Sequence, residues 1–508
     1  MKRLVVFSFT MALFLAVCCG QSIAADTGRP IKDTVIWAQT ADIYSLDPQI
    51  GRQLVAVNVT GQIFDTLVKF SPTREIVPSV AESWKFLSDT ELEMQIRKGI
   101  KFHNGDDLTA EDVVFTINRA LNSPIVAYYI DFIDNVKATD DYTVVITSKE
   151  PYCAFLNALT TPPTGIVPKG VAGSTNEPGF ARHPIGSGPY KFVEWKPGES
   201  ATLEAFEGHY LGTPPTKKLV MKVIPENAQQ AIMLETGEID VAYGIHINDV
   251  RKIEDHSDLK TIRELSPRSV DFVFNNKSTG PVSNKLVRQA IEYAIDKKII
   301  VDRVLNGIGL PGNQFLAPGV FGHDETQPPS EHNVQKAKDL LAQAGYPKGF
   351  DMRLWVQNDQ VYQEVCQVIQ SQLHEVGVNV KIEVLEYSTM LSMLYGGDDF
   401  DAILKFLMPV EGDGNVIAYS YYSTNPNNQS RWSSPETDAL IDQIRSTLDP
   451  DKRMDLYRQF HAILRDEVPQ FSVFYEEMVI ATSKNVEGLE VQKEGYHKYR
   501  NVVAYTDK

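Results

Sequence analysis

The chain has 508 residues, with 49 lysines and arginines against 66 aspartates and glutamates, a formal net charge of −17 and four cysteines. That acidic balance argues against nucleic acid or an anionic membrane surface as partner, and so few thiols exclude a disulfide-built scaffold. A chain this long outgrows a single hydrophobic core, so two or three lobes are expected.

Met1-Lys2-Arg3 is a short cationic start, residues 4–17 are an apolar run, and Ser22-Ile23-Ala24-Ala25 supplies small residues. That order predicts a secretory signal peptide over residues 1–24, with cleavage after Ala24. The run is shorter than the roughly 20 residues a membrane-spanning helix needs. A periplasmic or otherwise extracytoplasmic protein without a membrane span is therefore expected. Lipid anchoring at Cys18 or Cys19 is the rival reading, weakened by Val17 where a small residue is usual. Loss of the leader leaves Cys153 and Cys366, which are expected to be separate buried thiols.

Residues 33–37 alternate toward a strand that leads into Ala41-Asp42-Ile43-Tyr44-Ser45-Leu46-Asp47-Pro48, a polar turn. Residues 62–130 read as helix, hairpins and helix. Residues 92–97 alternate, 99–105 turn, and Thr109 with Asp112 forms a capping box before Val113, Val114, Ile117 and Leu121 at helical spacing. After the tight turn Gly186-Ser187-Gly188-Pro189, residues 190–195 and 201–205 predict paired strands. Val270, Phe272 and Phe274 alternate, and a helix is predicted over 285–305. Further helices at 334–344, 362–376, 434–446 and 452–468 are interleaved with strands at 352–356, 379–385 and 401–405, an α/β pattern. No repeat and no long linker appears, so the lobes are expected to be joined by strands that act as a hinge.

Catalytic constellations are missing. Gly307-Ile308-Gly309-Leu310-Pro311-Gly312 has the spacing of a dinucleotide loop, but it follows a predicted helix and contains Pro311, which is the wrong context. There is no nucleophile elbow, phosphate loop, His-Glu-x-x-His helix or Cys-x-x-Cys pair. His323 and His332 with Asp324, Glu325 and Glu331 read as a solvated acidic loop, as do Asp398 with Asp399 and Glu411 with Asp413. No cofactor and no metal are expected, and binding is favoured over turnover. A secreted hydrolase remains as a remote alternative.

Four stretches then resemble a known family: Phe64-Asp65-Thr66-Leu67 through Glu75 to Trp84; Arg97-Lys98-Gly99-Ile100-Lys101-Phe102-His103-Asn104-Gly105 through Thr109 to Phe115; Pro184-Ile185-Gly186-Ser187-Gly188-Pro189-Tyr190-Lys191-Phe192; and Val287-Arg288-Gln289-Ala290-Ile291-Glu292-Tyr293-Ala294-Ile295-Asp296-Lys297. The chain resembles the extracellular solute-binding protein family 5, which includes the peptide, dipeptide, oligopeptide, glutathione and nickel receptors of ABC importers. The resemblance implies an α/β, three-domain periplasmic-binding-protein clamshell, type II-like and class C. Domain I would comprise residues 25–63, 186–274 and 478–508, domain II 64–185 and domain III 275–477, with the ligand cleft between domains I and III. It implies a monomer that captures a small solute and delivers it to ABC permease subunits of the inner membrane.

By the same resemblance the ligand-contact candidates are Asp42, Tyr44, Tyr243, His246, Asn358, Gln360, Tyr362, Lys405, Glu411, Asp413 and Tyr475. Peptide-binding members carry a Trp and, three residues later, an amine-anchoring Asp after the strand matching 400–403. Here Leu407 and Val410 occupy those places. A buried ammonium without a counter-charge is costly, so Glu411 or Asp413 is expected to substitute for a peptide or peptide-like solute. Otherwise the solute is of another kind: a glutathione-like conjugate, an opine, a sugar or a metal chelate.

Overall fold

A computed structural model describes residues 29–506 apart from Arg52, Asn176, Glu177, Asp398 and Val410. The expected leader with Cys18 and Cys19, and the notable Val410, lie outside the described residues. The chain opens with β1 (Thr34–Gln39), whose Val35, Trp37 and Ala38 are buried. The helix Leu54–Ile63 follows. It is buried on nearly every side, so its sequence shows no amphipathic period, which is why sequence reading placed a helix only from residue 62 onward.

A hairpin of β2 (Val68–Phe70) and β3 (Ile76–Pro78) leads into a separate antiparallel unit. It contains β4 (Ala81–Phe86), β5 (Glu91–Ile96), β6 (Ile133–Asp140) and β7 (Thr143–Ser148), in the spatial order β4-β5-β7-β6. The helix Ala110–Leu121 closes its core, where Val113 and Ile117 meet Leu92, Met94, Ile96, Val144 and Ile146. The predicted capping box is formed: Thr109 N donates to Asp112 Oδ2 at 2.9 Å.

The remaining strands build one long mixed sheet. β8 (Tyr190–Lys196), β9 (Ser200–Ala205) and β10 (Lys218–Val223) form a meander that joins β1 in parallel, with Trp37 beside Met221. Next come β11 (Val241–Ala242), the 16-residue β12 (Leu259–Phe274), β13 (Leu310–Pro311), β14 (Phe350–Gln357), β15 (Val378–Leu385), β16 (Ala402–Leu407) and the 14-residue β17 (Gln470–Ser483). Their order is β15-β14-β16-β12-β17-β11-β1-β10-β9-β8, with β13 on β17. The long pair β12 and β17 is therefore a ribbon shared by two half-sheets.

The ribbon is irregular at its middle. Register jumps between the pairs Leu265–Glu477 and Ser269–Tyr475, so Ser266, Pro267 and Arg268 face Glu476 alone. Pro267 has no N–H to contribute to a ladder, which localises the bulge.

Two expectations need correction. The single helix over 285–305 is broken into Lys285–Ala294, Lys297–Ile299 and a wider turn at Ile300–Val304. Ile295 is extended, and Asp296 begins a new helix by accepting from Ile299 N at 3.0 Å. The thiols are unpaired as expected, but only Cys366 is fully buried, whereas Cys153 is half-buried. The glycines at 307–312 let a loop approach β17: a Cβ at Gly312 would lie 2.5 Å from Ser472 O.

Candidate functional site

Each half-sheet contains a parallel trio, β15-β14-β16 and β11-β1-β10. From β14 the chain passes through the helix Gln360–Glu375 on one face, where Tyr362, Val365 and Ile369 pack with Leu354 and Val356. From β15 it passes through Tyr387–Gly396 on the other face, where Met390 and Leu394 pack with Trp355 and Ile403. Connections that leave a strand toward opposite faces open a crevice at its carboxyl end, the usual ligand position in such sheets.

The registers show where these crevices point. β16 ends with Leu407 beside Ser269, and β11 ends with Ala242 beside Ala481, itself paired with Thr261. The carboxyl ends of both trios therefore converge on the same stretch of ribbon, between Thr261 and Ser269, which contains the bulge.

At that stretch Arg268 Nη1 donates to Glu476 Oε2 at 3.1 Å, and the Tyr362 hydroxyl donates to Glu476 Oε1 at 2.5 Å. The guanidinium lies 4.4 Å from the Phe406 ring centroid and its Nη2 is 3.9 Å from Met408 Sδ. Phe406 in turn stacks on Tyr387 at 6.2 Å. Burial lowers the pKa of Arg268, but the charge of Glu476 and the Tyr362 hydroxyl outweigh it and raise it overall. Arg268 Nε is buried here without a hydrogen-bond partner, as are Gln357 Oε1 at the end of β14 and His246 Nε2 in the loop after β11. An unmet buried group costs about 1–3 kcal/mol, and native proteins keep few of them without a reason.

The sequence candidates separate into groups. Tyr362 reaches the rim through Glu476, His246 lies in the loop after β11, and Lys405 lies beside Asp271, past the end of that stretch. Lys405 Nζ meets Gln429 Oε1, and burial pushes its ammonium down to about 8, opposed by Asp271. Asn358 and Gln360 sit beyond β14, engaged with Glu386 at 2.8 Å and Glu364 at 3.0 Å. Tyr44 is exposed, with its hydroxyl on Ile50 O, and Tyr243 is tied to Tyr499 while its ring packs on His497 at 4.8 Å.

Other candidates are already spoken for. Asp42 accepts from Trp195 Nε1 at 3.1 Å and Gly198 N at 2.6 Å, securing the β8–β9 turn. Asp413 pairs with Arg453 at 2.9 Å and accepts from Asn415 N at 3.0 Å. Glu411 is buried against Tyr152 of the antiparallel unit, 3.3 Å away. The Tyr475 hydroxyl accepts from Asn313 N at 3.2 Å and Gln314 N at 3.0 Å, on the opposite side of the sheet from its neighbour Glu476.

The sequence candidates do not include Arg268, Glu476 or Gln357. The available signal was Ser266-Pro267-Arg268 beside an alternating run, because proline inside a strand marks an edge or a bulge. Among the described residues no cluster of His, Cys, Asp and Glu could hold a metal ion, and no helix is long and apolar enough to cross a membrane.

Comparison with known proteins agrees with this architecture. The profile of bacterial extracellular solute-binding proteins, family 5 Middle, matches residues 75–429. The chain is 28% identical over 488 residues to the glutathione-binding protein GsiB of Pectobacterium atrosepticum, covering 92% of this chain and 94% of that one. It is 28% identical over 532 residues to the oligopeptide-binding protein AppA of Bacillus subtilis, covering 97% and 95%. The structure of the ABC transporter-associated periplasmic binding protein DppA from Helicobacter pylori, in complex with the peptide STSA, superimposes with a TM-score of 0.81 at 26% identity, covering 94% of this chain and 99% of that one. With a family match across well over half its length, a bulged two-strand ribbon and facing crevices, the chain belongs to the bacterial extracellular solute-binding proteins of family 5.

Proposed function

We propose that the protein is the extracytoplasmic receptor of an ABC importer, capturing a peptide or peptide-like solute between its two half-sheets and presenting it to the membrane permease. The observation that carries this reading is the convergence of the carboxyl ends of both trios on the bulged ribbon, where Arg268 Nε is buried without a partner. A solute touching both sides gains contacts only when the halves approach, so it shifts the population toward the closed form. Residues 25–63, 186–274 and 478–508 form domain I, 64–185 domain II and 275–477 domain III, with β12 and β17 as the hinge. The names of GsiB and AppA, and the peptide held by DppA, support a peptide-like solute. Export by the leader peptide completes the reading.

A second reading keeps the receptor role with a solute that lacks a free ammonium. It is favoured because the carboxylates on β17 and in the loop after β16 are already engaged. Glu476 is held by Arg268 and Tyr362, Asp413 by Arg453, and Glu411 faces Tyr152. A thermal-shift panel of short peptides, each with a free and an acetylated amino terminus, separates the two. A ligand at about 100 times its Kd stabilises by about 2.7 kcal/mol. Stabilisation by free but not by acetylated peptides supports the first reading, and equal stabilisation supports the second. Stabilisation by no peptide, glutathione conjugate, opine, sugar or metal chelate contradicts the receptor assignment.

A further inference from the structure

A cavity of about 380 Å³ lies beside the first residues of β17. Small-ligand sites occupy roughly 300–1,000 Å³, so its size suits one compact molecule. It is lined by Gln470 and Ser472 of β17, by Gln289 and Glu292 of the helix Lys285–Ala294, and by His461 and Arg465 of the helix Pro450–Glu467. Glu476 stands further along β17 than Gln470 by about 20 Å at the rise of a strand. Asn313 and Gln314, which also line the cavity, hold the Tyr475 hydroxyl on the opposite side of the sheet from Glu476. The cavity is therefore not part of the cleft at the bulge.

The charges around it do not balance. Glu292 is paired with Lys297 at 3.1 Å, and Glu331, also in the lining, lies 3.5 Å from Lys336. Asp466 and Glu467, next along the helix from Arg465, are both taken by Lys285. Among the described residues Arg465 has no carboxylate partner: it is exposed, and its Nη2 donates to the Pro328 carbonyl at 2.9 Å. His461 adds no second charge at neutral pH, because burial pushes its imidazole down to about 4, with Arg465 acting in the same direction. The lining thus carries one positive charge in excess.

Two further features mark the same place. Gln470 Nε2 is buried without an acceptor, and native proteins leave few such groups without a reason. Val468, another lining residue, has a φ of +47°, a left-handed conformation that a β-branched residue adopts only under constraint. Arg288 supplies the constraint, donating through Nε to the Val468 carbonyl at 3.0 Å. Phe315, Leu464 and Phe471 add an apolar surface.

We propose that this cavity is a second ligand site, which takes a small monocarboxylate with an apolar body: the carboxylate pairs with Arg465, and the body packs on Phe315, Leu464 and Phe471. A carboxylate matches a guanidinium through two parallel hydrogen bonds, and it cancels the excess charge. The site goes beyond the receptor reading and does not depend on it.

The test uses 4-fluorobenzoate and its uncharged counterpart 4-fluorobenzamide, titrated against the full chain to about 10 mM and followed by fluorine NMR. The carboxylate should bind about tenfold or more tighter than the amide. Arg465→Gln should remove that preference, and Arg465→Lys should keep most of it. Because Arg465 is exposed, neither change should alter the melting temperature, which separates lost binding from lost folding. In crystals soaked with 4-bromobenzoate, the anomalous bromine signal should lie in the cavity, with the carboxylate toward Arg465. No saturable binding of the benzoate, equal affinity in wild type and Arg465→Gln, or bromine found only in the cleft at the bulge would each overturn the proposal and leave the receptor reading intact.

Discussion

Arg268 and Glu476 lie 208 positions apart in the chain, yet they form the ion pair at the bulge of the β12–β17 ribbon. Each is about one-quarter exposed, so removing one partner leaves the other poorly solvated. Arg268→Ala should lower stability by about 1–3 kcal/mol and weaken solute binding by about tenfold or more. Arg268→Leu combined with Glu476→Gln should recover the stability but not the binding, a distinction that urea unfolding and equilibrium titration make together. Asp47 behaves differently although it belongs to the loop that sequence reading marked for contact. Arg119 Nη1 donates to its Oδ1 at 3.0 Å, and both side chains are almost wholly buried. Asp47→Ala should therefore cost about 3–5 kcal/mol in urea unfolding by stranding a buried cation. If the loss is under 1 kcal/mol, this loop is not anchored as described.

At the level of elements, sequence reading succeeded where a period or a cap was visible. The alternation of Leu92, Met94 and Ile96 became β5, and Thr109 with Asp112 became a real capping box. It failed where burial removes the period, as in Leu54–Ile63, or where a local cap competes with it, as at Asp296. The candidate site depends on pairing more than on local pattern. Tyr362 and Lys405 were named through family resemblance and fall at the ends of a helix and a strand whose periods are visible, whereas Arg268 and Glu476 come together only when two distant strands pair. The false dinucleotide motif illustrates the converse. Gly309 has a φ of +110°, and a Cβ there would lie 2.6 Å from Tyr475 O, so the glycine serves the approach of β13 to β17. Gly309→Ala should destabilise by about 1–3 kcal/mol with no effect on any nucleotide interaction, as thermal unfolding with and without NAD would show.

For the whole molecule, the pairing of β12 with β17 makes two half-sheets into one continuous sheet, and buried ionisable groups give it a pH signature. His497 is pushed down to about 3 by burial. The folded protein thus resists taking up a proton that the unfolded chain accepts near pH 6.5. The stability contribution of neutral His497 is fully present above about pH 6.5 and is lost as pH falls toward 3. His497→Gln should flatten the acid limb of the melting-temperature profile, and an unchanged limb would count against burial of a neutral imidazole.

The most direct test of the receptor account is mass spectrometry of small molecules released on denaturing the purified wild type and the Arg268→Ala variant. The account predicts a solute near one equivalent in the wild type and its loss from a folded variant. Equal retention by both proteins would contradict the placement of the site at the hinge bulge.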